Sequence, residues 1–294
     1  MITVVLSGGL GNQMFQYAAG RALSIELDTG MSIDLYKIRK KSTAIRRNYQ
    51  LDVFNTSVKI IRSKKVKFIT KAFAYINNSS AGKKLLKAMH VFKDEYSYDT
   101  RFENLDNNTI LYGYFQNEKY FEKYRDQIRK DFTFKLNLDN KNKDILDTIK
   151  QSESVSIHVR RGDYTSVFAN LELLDIEYYR NAINYIADRV NNPSFYVFSD
   201  DILWARQNLN LGDFPCKYID WNQGDKSYID MQLMSCCKHN IIANSSFSWW
   251  GAWLNSNEDK IVIVPSAWYK DQISGEYADG FIPEKWISLK KIYA

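Results

Sequence analysis

The 294-residue chain is long enough for one large domain or two ordinary ones, and 45% hydrophobic with 25% charged residues is a globular balance that excludes disordered and fibrous architectures. Twenty Tyr, 16 Phe and 7 Trp stand against 4 Pro. Such rings stack on sugars and bases but chiefly fill cores. The formal net charge is +6, much of it between Lys37 and Lys93 in RKKSTAIRR and RSKKVKF. That surface would attract phosphates or an anionic membrane, and otherwise serves as a solvated face. No nucleic-acid-binding motif accompanies it, so nucleic acid is not an expected partner.

No stretch approaches the roughly 20 apolar residues that cross a bilayer. The opening MITVVLSGGLGNQMF lacks the basic n-region of a secretory signal. A cytoplasmic location is therefore expected, with peripheral contact at the inner membrane face compatible with the basic region. Sequons at Asn55, Asn77, Asn78, Asn107 and Asn244 would then meet no glycosylation machinery. Cys216, Cys236 and Cys237 have no metal-ligand spacing and read as reduced, structural residues.

In chain order, ITVVL reads as a buried strand, SGGLGNQ as a turn, and the next segment as a helix from about Met14 to Ile25. MSIDLY is a second strand. The stretch from about Lys37 to Asn108 is basic and weak in strand signals. A short strand at Ile110 to Tyr114 and a helix from about Glu118 to Lys130 follow, and the polar segment near 135 to 150 suits a domain boundary. Beyond it the pattern becomes regular. SVSIHVR puts Val155, Ile157 and Val159 on one strand face, a helix spans about Ile176 to Val190, and SFYVFSDD is a strand whose final acids can cap the helix DILWARQNL. CKYID, NIIA and KIVIVP are further strands, with helices at about Ser227 to Cys237 and at NSSFSWWGAWL. Repeated strand-helix-strand order predicts an α/β fold with a parallel sheet, whose ligands bind beyond the carboxyl ends of the strands.

Four groups of residues lie at those ends. HVRRGD places His158 and Arg160 on one face, with Arg161 opening the turn and Asp163 able to reach back to a guanidinium. Arginine suits phosphate because its fork of donors binds bidentately and keeps its charge; a surface Arg-Asp pair is the alternative. Asn244, Ser245, Ser246, Phe247 and Ser248 open a helix whose unpaired N–H groups form an anion site, or else the serines are plain N-caps and the tryptophans core. Gly8, Gly9, Gly11, Asn12 and Gln13 form a glycine-rich turn that fits neither the dinucleotide fingerprint nor the phosphate loop. There Asn12 and Gln13 could offer hydrogen bonds to a sugar or diphosphate. Ser199 and Asp200, with Asp201, could bind a ribose or base edge, or only cap a helix. His90 and His239 read as structural.

Taken together, LSGGLGNQMFQYAAGRAL, HVRRGDY, FYVFSDD and NSSFSWWGAWLN, in order from Leu6 to Asn255, resemble the bacterial α-1,2-fucosyltransferases of glycosyltransferase family 11, as does the terminal PEKWISL. The resemblance implies a GT-B-type fold, two Rossmann-like α/β domains with a donor cleft between them. It assigns 1–145 to the N-terminal, acceptor-side domain, 146–275 to the GDP-fucose-binding domain, and 276–294 to a tail packing back on the body. It further implies that Arg160 and Arg161 hold the diphosphate, that Ser245 to Ser248 cradle it, and that Asp200 serves guanosine. Asn12 and Gln13 would face the sugar from the other domain, with Gly9 and Gly11 also donor-binding. His158 and Asp163 match motif positions, Asp163 being the candidate general base. The expected partners are GDP-fucose and a galactose-terminated glycan acceptor. No cofactor and no metal are expected, because arginines and a helix end replace a cation beside the leaving diphosphate.

Three other readings compete: a transferase using another GDP-sugar, a nucleotide-sugar-binding or glycan-binding protein without turnover, and a dinucleotide-dependent oxidoreductase. The last is disfavoured, because GGLGNQ lacks the third glycine of the fingerprint.

Overall fold

The computed structural model describes residues 1–39, 47–72, 80–94, 97–162, 173–268 and 281–289. The chain divides into two compact units, Met1–Lys135 and Leu136–Ala294.

The first unit contains β1 (Ile2–Val5), α1 (Leu10–Glu26), β2 (Met31–Asp34), α2 (Tyr36–Arg39), β3 (Lys59–Ile61), α3 (Lys64–Ala72), α4 (Ser80–Ala88), β4 (Val91–Lys93), β5 (Ile110–Tyr112) and α5 (Arg125–Asp131). Its five strands are all parallel, in the order β3-β2-β1-β5-β4. The chain leaves β1 in one direction to β2 and β3, then returns to the other side through β4 and β5. The ends of β1 and β5 therefore form the switch point of this sheet. One face is covered by α1, where a Cβ on Gly20 would lie 2.2 Å from Val4 Cγ2. On the face of Val5, Val91 and Ile110, Val66 and Ile69 of α3 join the core, with Leu86 of α4 packed against it.

Much of the aromatic content lies in this core. Tyr17 and Phe54 both pack on Phe132, at 5.3 and 5.1 Å between ring centroids. Tyr17 Oη and Arg21 Nε each donate to Asp131 Oδ2 at 2.9 Å, tying α1 to α5. Two readings of this unit need correction. Helix α1 starts at Leu10 rather than Met14, because the turn is completed by Ser7, Gly8 and Gly9. The expected helix at 118–130 is two 3-10 turns, Glu118–Tyr120 and Glu122–Tyr124, followed by α5. Phe121, at φ −147, breaks the run where it and Tyr120 are drawn into the core.

The second unit contains α6 (Asn140–Lys150), β6 (Glu153–Val159), α7 (Ile176–Ala187), β7 (Pro193–Ser199), α8 (Ile202–Asn208), β8 (Cys216–Ile219), α9 (Tyr228–Cys236), β9 (His239–Ile241), α10 (Ser246–Leu254), β10 (Val262–Pro265) and β11 (Ile287–Leu289). The sheet is parallel, ordered β11-β10-β9-β6-β7-β8. Position 145 falls inside α6, and α6 belongs wholly to this unit. Ile145 and Ile149 are buried, and Asn142 Nδ2 donates to Asn222 Oδ1 at 3.0 Å.

Val155, Ile157 and Val159 of β6 enter one apolar core with α7 and α8. The alternate residues Ser154, Ser156 and His158 are buried too, so β6 is covered on both faces. Ser156 Oγ accepts from Asn240 Nδ2 at 2.7 Å, which satisfies a polar pair inside the sheet. The described end of the chain packs on this unit: β11 pairs with β10, and Trp249 Nε1 donates to Phe281 O at 2.9 Å. Trp249, Trp250 and Trp253 are core residues.

Candidate active site

In the second sheet the chain runs from β6 to β7 and β8, then crosses to β9, β10 and β11 on the other side of β6. The loops after β6 and β9 therefore diverge at the switch point, where open α/β sheets bind ligands. The β6–β7 register pairs His158 with Phe198 and Val159 with Ser199. One residue further, it brings Arg160 beside Asp200. Arg160 Nη1 lies 2.8 Å from Asp200 Oδ2, both side chains being about a quarter exposed, at 24%. The backbone N–H of Arg161 donates to the other oxygen of Asp200 at 2.9 Å. One carboxylate thus fixes the guanidinium of Arg160 and the main chain of Arg161.

Gly162 makes room for that carboxylate. A Cβ there would stand 2.7 Å from Asp200 Oδ2. The Arg161 guanidinium lies 4.1 Å from the centroid of the Trp204 ring, a stacking that orients a planar cation. Its Nε is buried and has no hydrogen-bond acceptor among the described residues, with Asp201 Oδ2 at 3.8 Å. Asp201 itself caps α8, accepting from the Trp204 N–H at 3.1 Å, and Ser199 Oγ accepts from the Asp201 N–H at 2.9 Å.

Across the switch point, the His158 and Phe247 rings are 5.7 Å apart, joining the end of β6 to the start of α10. His158 is buried and its Nδ1 has no partner among the described residues. Burial, and next the charge of Arg160, push its pKa down to about 3, so the ring is neutral at physiological pH. Ser245 caps α10, its Oγ accepting from the Phe247 N–H at 3.3 Å. Ser246 and Phe247 are partly exposed in the first helical turn, where backbone N–H groups lack helical partners and carry partial positive charge.

Several expected site residues are buried and make contacts within the scaffold. Asn244 is buried and donates from Nδ2 to Trp268 O at 3.0 Å. Ser248 Oγ is buried and turned onto the carbonyls of Ala243 and Ser245. In the first unit, Gln13 is fully buried with its amide committed: Nε2 donates to Gly8 O and Asn48 O, and Oε1 accepts from the Gln50 N–H. Gly11 is buried in α1. Gly9 and Asn12 remain partly exposed at the β1/β5 switch point, where Asn12 Oδ1 accepts from Gln116 Nε2 at 2.8 Å. Asp163 lies outside the described residues.

Sequence reasoning missed Trp204, Gln16 and Gln116. Gln16 clamps the loops after β1 and β5, accepting from the Ser7 N–H at 2.9 Å and donating to Gly113 O at 2.8 Å. Only its place in MFQYAAG marked it. His239 Nδ1 accepts from the Ile261 N–H at 3.0 Å, and His90 Nδ1 lies 3.1 Å from Asp106 Oδ2. Cys216, Cys236 and Cys237 are free thiols. Among the described residues no three His, Cys, Asp or Glu side chains are grouped to hold a metal ion, and no helix is long and apolar enough to cross a membrane.

The profile of glycosyl transferase family 11 matches residues 1–290, and the chain belongs to that family. It is 36% identical over 298 residues to an alpha-1,2-colitosyltransferase of Escherichia coli, covering 99% of each chain. It is 34% identical to the O-antigen biosynthesis glycosyltransferase WbnK of Escherichia coli, over 97% of this chain and 99% of that one. A more distant relative is galactoside 2-alpha-L-fucosyltransferase SEC1 of Bos taurus, 28% identical over 49% of this chain and 41% of its own. Among solved structures, an Arabidopsis thaliana FUT1 variant in complex with GDP superposes with a TM-score of 0.53 at 12% identity, over 89% of this chain and 69% of that one. The protein is thus a glycosyltransferase built on a GT-B-type pair of parallel-sheet units.

Proposed function

We propose that this glycosyltransferase moves L-fucose from GDP-β-L-fucose to O2 of a terminal galactose on a glycan, with inversion and without a catalytic metal. The observation that carries the reading is the convergence of Arg160, Arg161 and the α10 N-terminus at the switch point of the second sheet. As the bond from C1 to the diphosphate oxygen breaks, negative charge gathers on the departing GDP. Two oriented guanidinium groups and a helix end stabilise that charge in place. The acceptor oxygen attacks C1 from the opposite face, so a β-linked donor gives an α-linkage. Its proton passes to a general base, for which Asp163 is the sequence candidate. His158 is a poor one, since an imidazole with a pKa of about 3 binds a proton weakly. Asp200 acts through Arg160 and Arg161 rather than on guanosine. For the first unit, Gly9 and Asn12 are the residues offered to a ligand.

A second donor is favoured by one finding, the 36% identity to a colitosyltransferase. Colitose lacks one ring hydroxyl of fucose, and one hydroxyl is a small difference for a site to discriminate unless that hydroxyl is hydrogen-bonded. The test is GDP release and product linkage by NMR, with GDP-fucose and GDP-colitose offered separately beside one galactoside, with and without excess EDTA. Turnover of GDP-fucose to an α-1,2-linked product, unchanged by EDTA, is expected. Turnover of GDP-colitose alone would reassign the donor. Loss on chelation with recovery on Mn or Mg would overturn the metal-free mechanism, and no turnover of either sugar would leave a binding protein.

A further inference from the structure

From Val53 to Lys93 the sequence holds ten Lys and Arg and no Asp or Glu, in a chain with 40 basic and 34 acidic residues. Outside this segment acids outnumber bases, so the positive charge of the protein is concentrated here. The structure puts most of the segment into β3, α3, α4 and β4 of the first unit, and α3 and α4 pack on the same face of its sheet. On α3, Val66, Ile69 and Thr70 turn inward, while Lys64, Lys65, Lys67, Phe68 and Lys71 are exposed. The helical period sets Phe68 beside Lys64 and Lys71 on the outer side.

Phe68 is 59% exposed, Leu85 of α4 44% and Ile60 of the edge strand β3 46%, which places them among the large hydrophobic side chains most open to solvent. Lys59, Arg62, Lys84 and Lys87, close to them in sequence, are exposed as well. None of the exposed cations of α3 forms an ion pair among the described residues. A face serving only solubility has no need of an exposed phenylalanine among its lysines. Apolar side chains ringed by unpaired lysines on amphipathic helices are instead what an anionic bilayer surface binds: the rings enter the boundary of the acyl chains while the lysines meet headgroup phosphates.

We propose that the outer face of α3 and α4, with Phe68 and Leu85 as inserted side chains, docks this protein on an anionic membrane. This docking is independent of the donor assignment. The experiment is flotation of the whole protein with phosphatidylglycerol-containing vesicles and with neutral phosphatidylcholine vesicles, at low and high salt. Binding to the anionic vesicles, lost at high salt, is expected. The triple variant Lys64→Gln, Lys67→Gln, Lys71→Gln should weaken partitioning by roughly a hundredfold, since each lysine contributes about a fivefold preference for the charged surface. Phe68→Ser keeps every charge and should weaken it by about tenfold. Both variants should keep the parental circular dichroism and turnover on a soluble acceptor. Equal binding to both vesicle types, no binding to either, or an unaffected Phe68→Ser variant would overturn the proposal. So would a triple variant that loses affinity for a random oligonucleotide while its vesicle binding is unchanged.

Discussion

Arg160 and Asp200 stand at the ends of two adjacent parallel strands, one residue past the Val159–Ser199 pair, and meet in an ion pair of 2.8 Å. The same carboxylate holds the Arg161 N–H, so removing its charge loosens both arginines at once. Asp200→Asn should lower kcat by roughly tenfold or more, the scale of a lost charge-assisted contact. Gly162→Ala tests the same link without touching charge, because the added methyl would stand 2.7 Å from Asp200 Oδ2. Steady-state kinetics and thermal melts should show reduced turnover in both folded variants. Parental kinetics in both would separate Asp200 from the chemistry.

Trp204→Ala should weaken GDP binding through Arg161, whose guanidinium lies 4.1 Å from the indole centroid. A partly desolvated cation–π contact contributes about 1 kcal/mol, so a roughly fivefold rise in the calorimetric Kd for GDP is expected. Trp204→Phe keeps a ring face and should recover part of the affinity. An Ala variant with unchanged Kd would leave Trp204 as packing alone.

Gly20→Ala should destabilise the first unit even though alanine favours a helix by up to about 1 kcal/mol over glycine. The new Cβ would lie 2.2 Å from Val4 Cγ2 and 3.0 Å from Met31 Sδ. Overpacking of this kind costs about 1–3 kcal/mol, so the clash outweighs the propensity. A lowered midpoint in denaturant is the expected result, and a raised one would show that α1 shifts freely on β1.

Asp230, in the first turn of α9, has its carboxyl pushed up to about 7 by burial, against the opposing pull of the hydrogen bond from Asn222 Nδ2 at 2.8 Å. Between about pH 4 and pH 7 the folded protein keeps a proton that the unfolded chain has lost, so Asp230 makes stability fall as pH rises, by at most about 1.4 kcal/mol per pH unit. Asp230→Asn should remove that slope, leaving the variant more stable than the parent at pH 8 and similar to it near pH 4. Denaturant midpoints across this window check it, and parallel profiles would contradict it.

Much of the second unit was legible because its strands are short apolar runs bounded by turns, and the motif residues fall at their carboxyl ends. The pairing of Arg160 with Asp200 was not, because Asp200 is brought in by the β6–β7 register, which no local pattern encodes. In the first unit three glycines suggested a turn running to Gln13, yet of the three only Gly8, at φ +79, takes the left-handed conformation. Gly9 and Gly11 are compatible with a helix start, so Asn12 and Gln13 lie in α1. The helices α3 and α4 went unread because lysines occupy their outer faces and few apolar residues mark the inner ones. That Ser248 and Asn244 are buried, with hydrogen bonds to backbone carbonyls, is likewise something no local pattern reveals.

In the proposed mechanism Arg160 stabilises the leaving diphosphate in the transition state. The direct measurement is kcat for Arg160→Ala and Arg160→Lys, with thermal melts to confirm folding. The Ala variant should lose roughly 10²-fold or more, the scale of one deleted preorganised donor. The Lys variant keeps the charge without the bidentate fork and should recover only part of the loss. A folded Arg160→Ala protein turning over at close to the parental rate would contradict the assignment and, with it, the claim that arginine takes the place of a metal ion here.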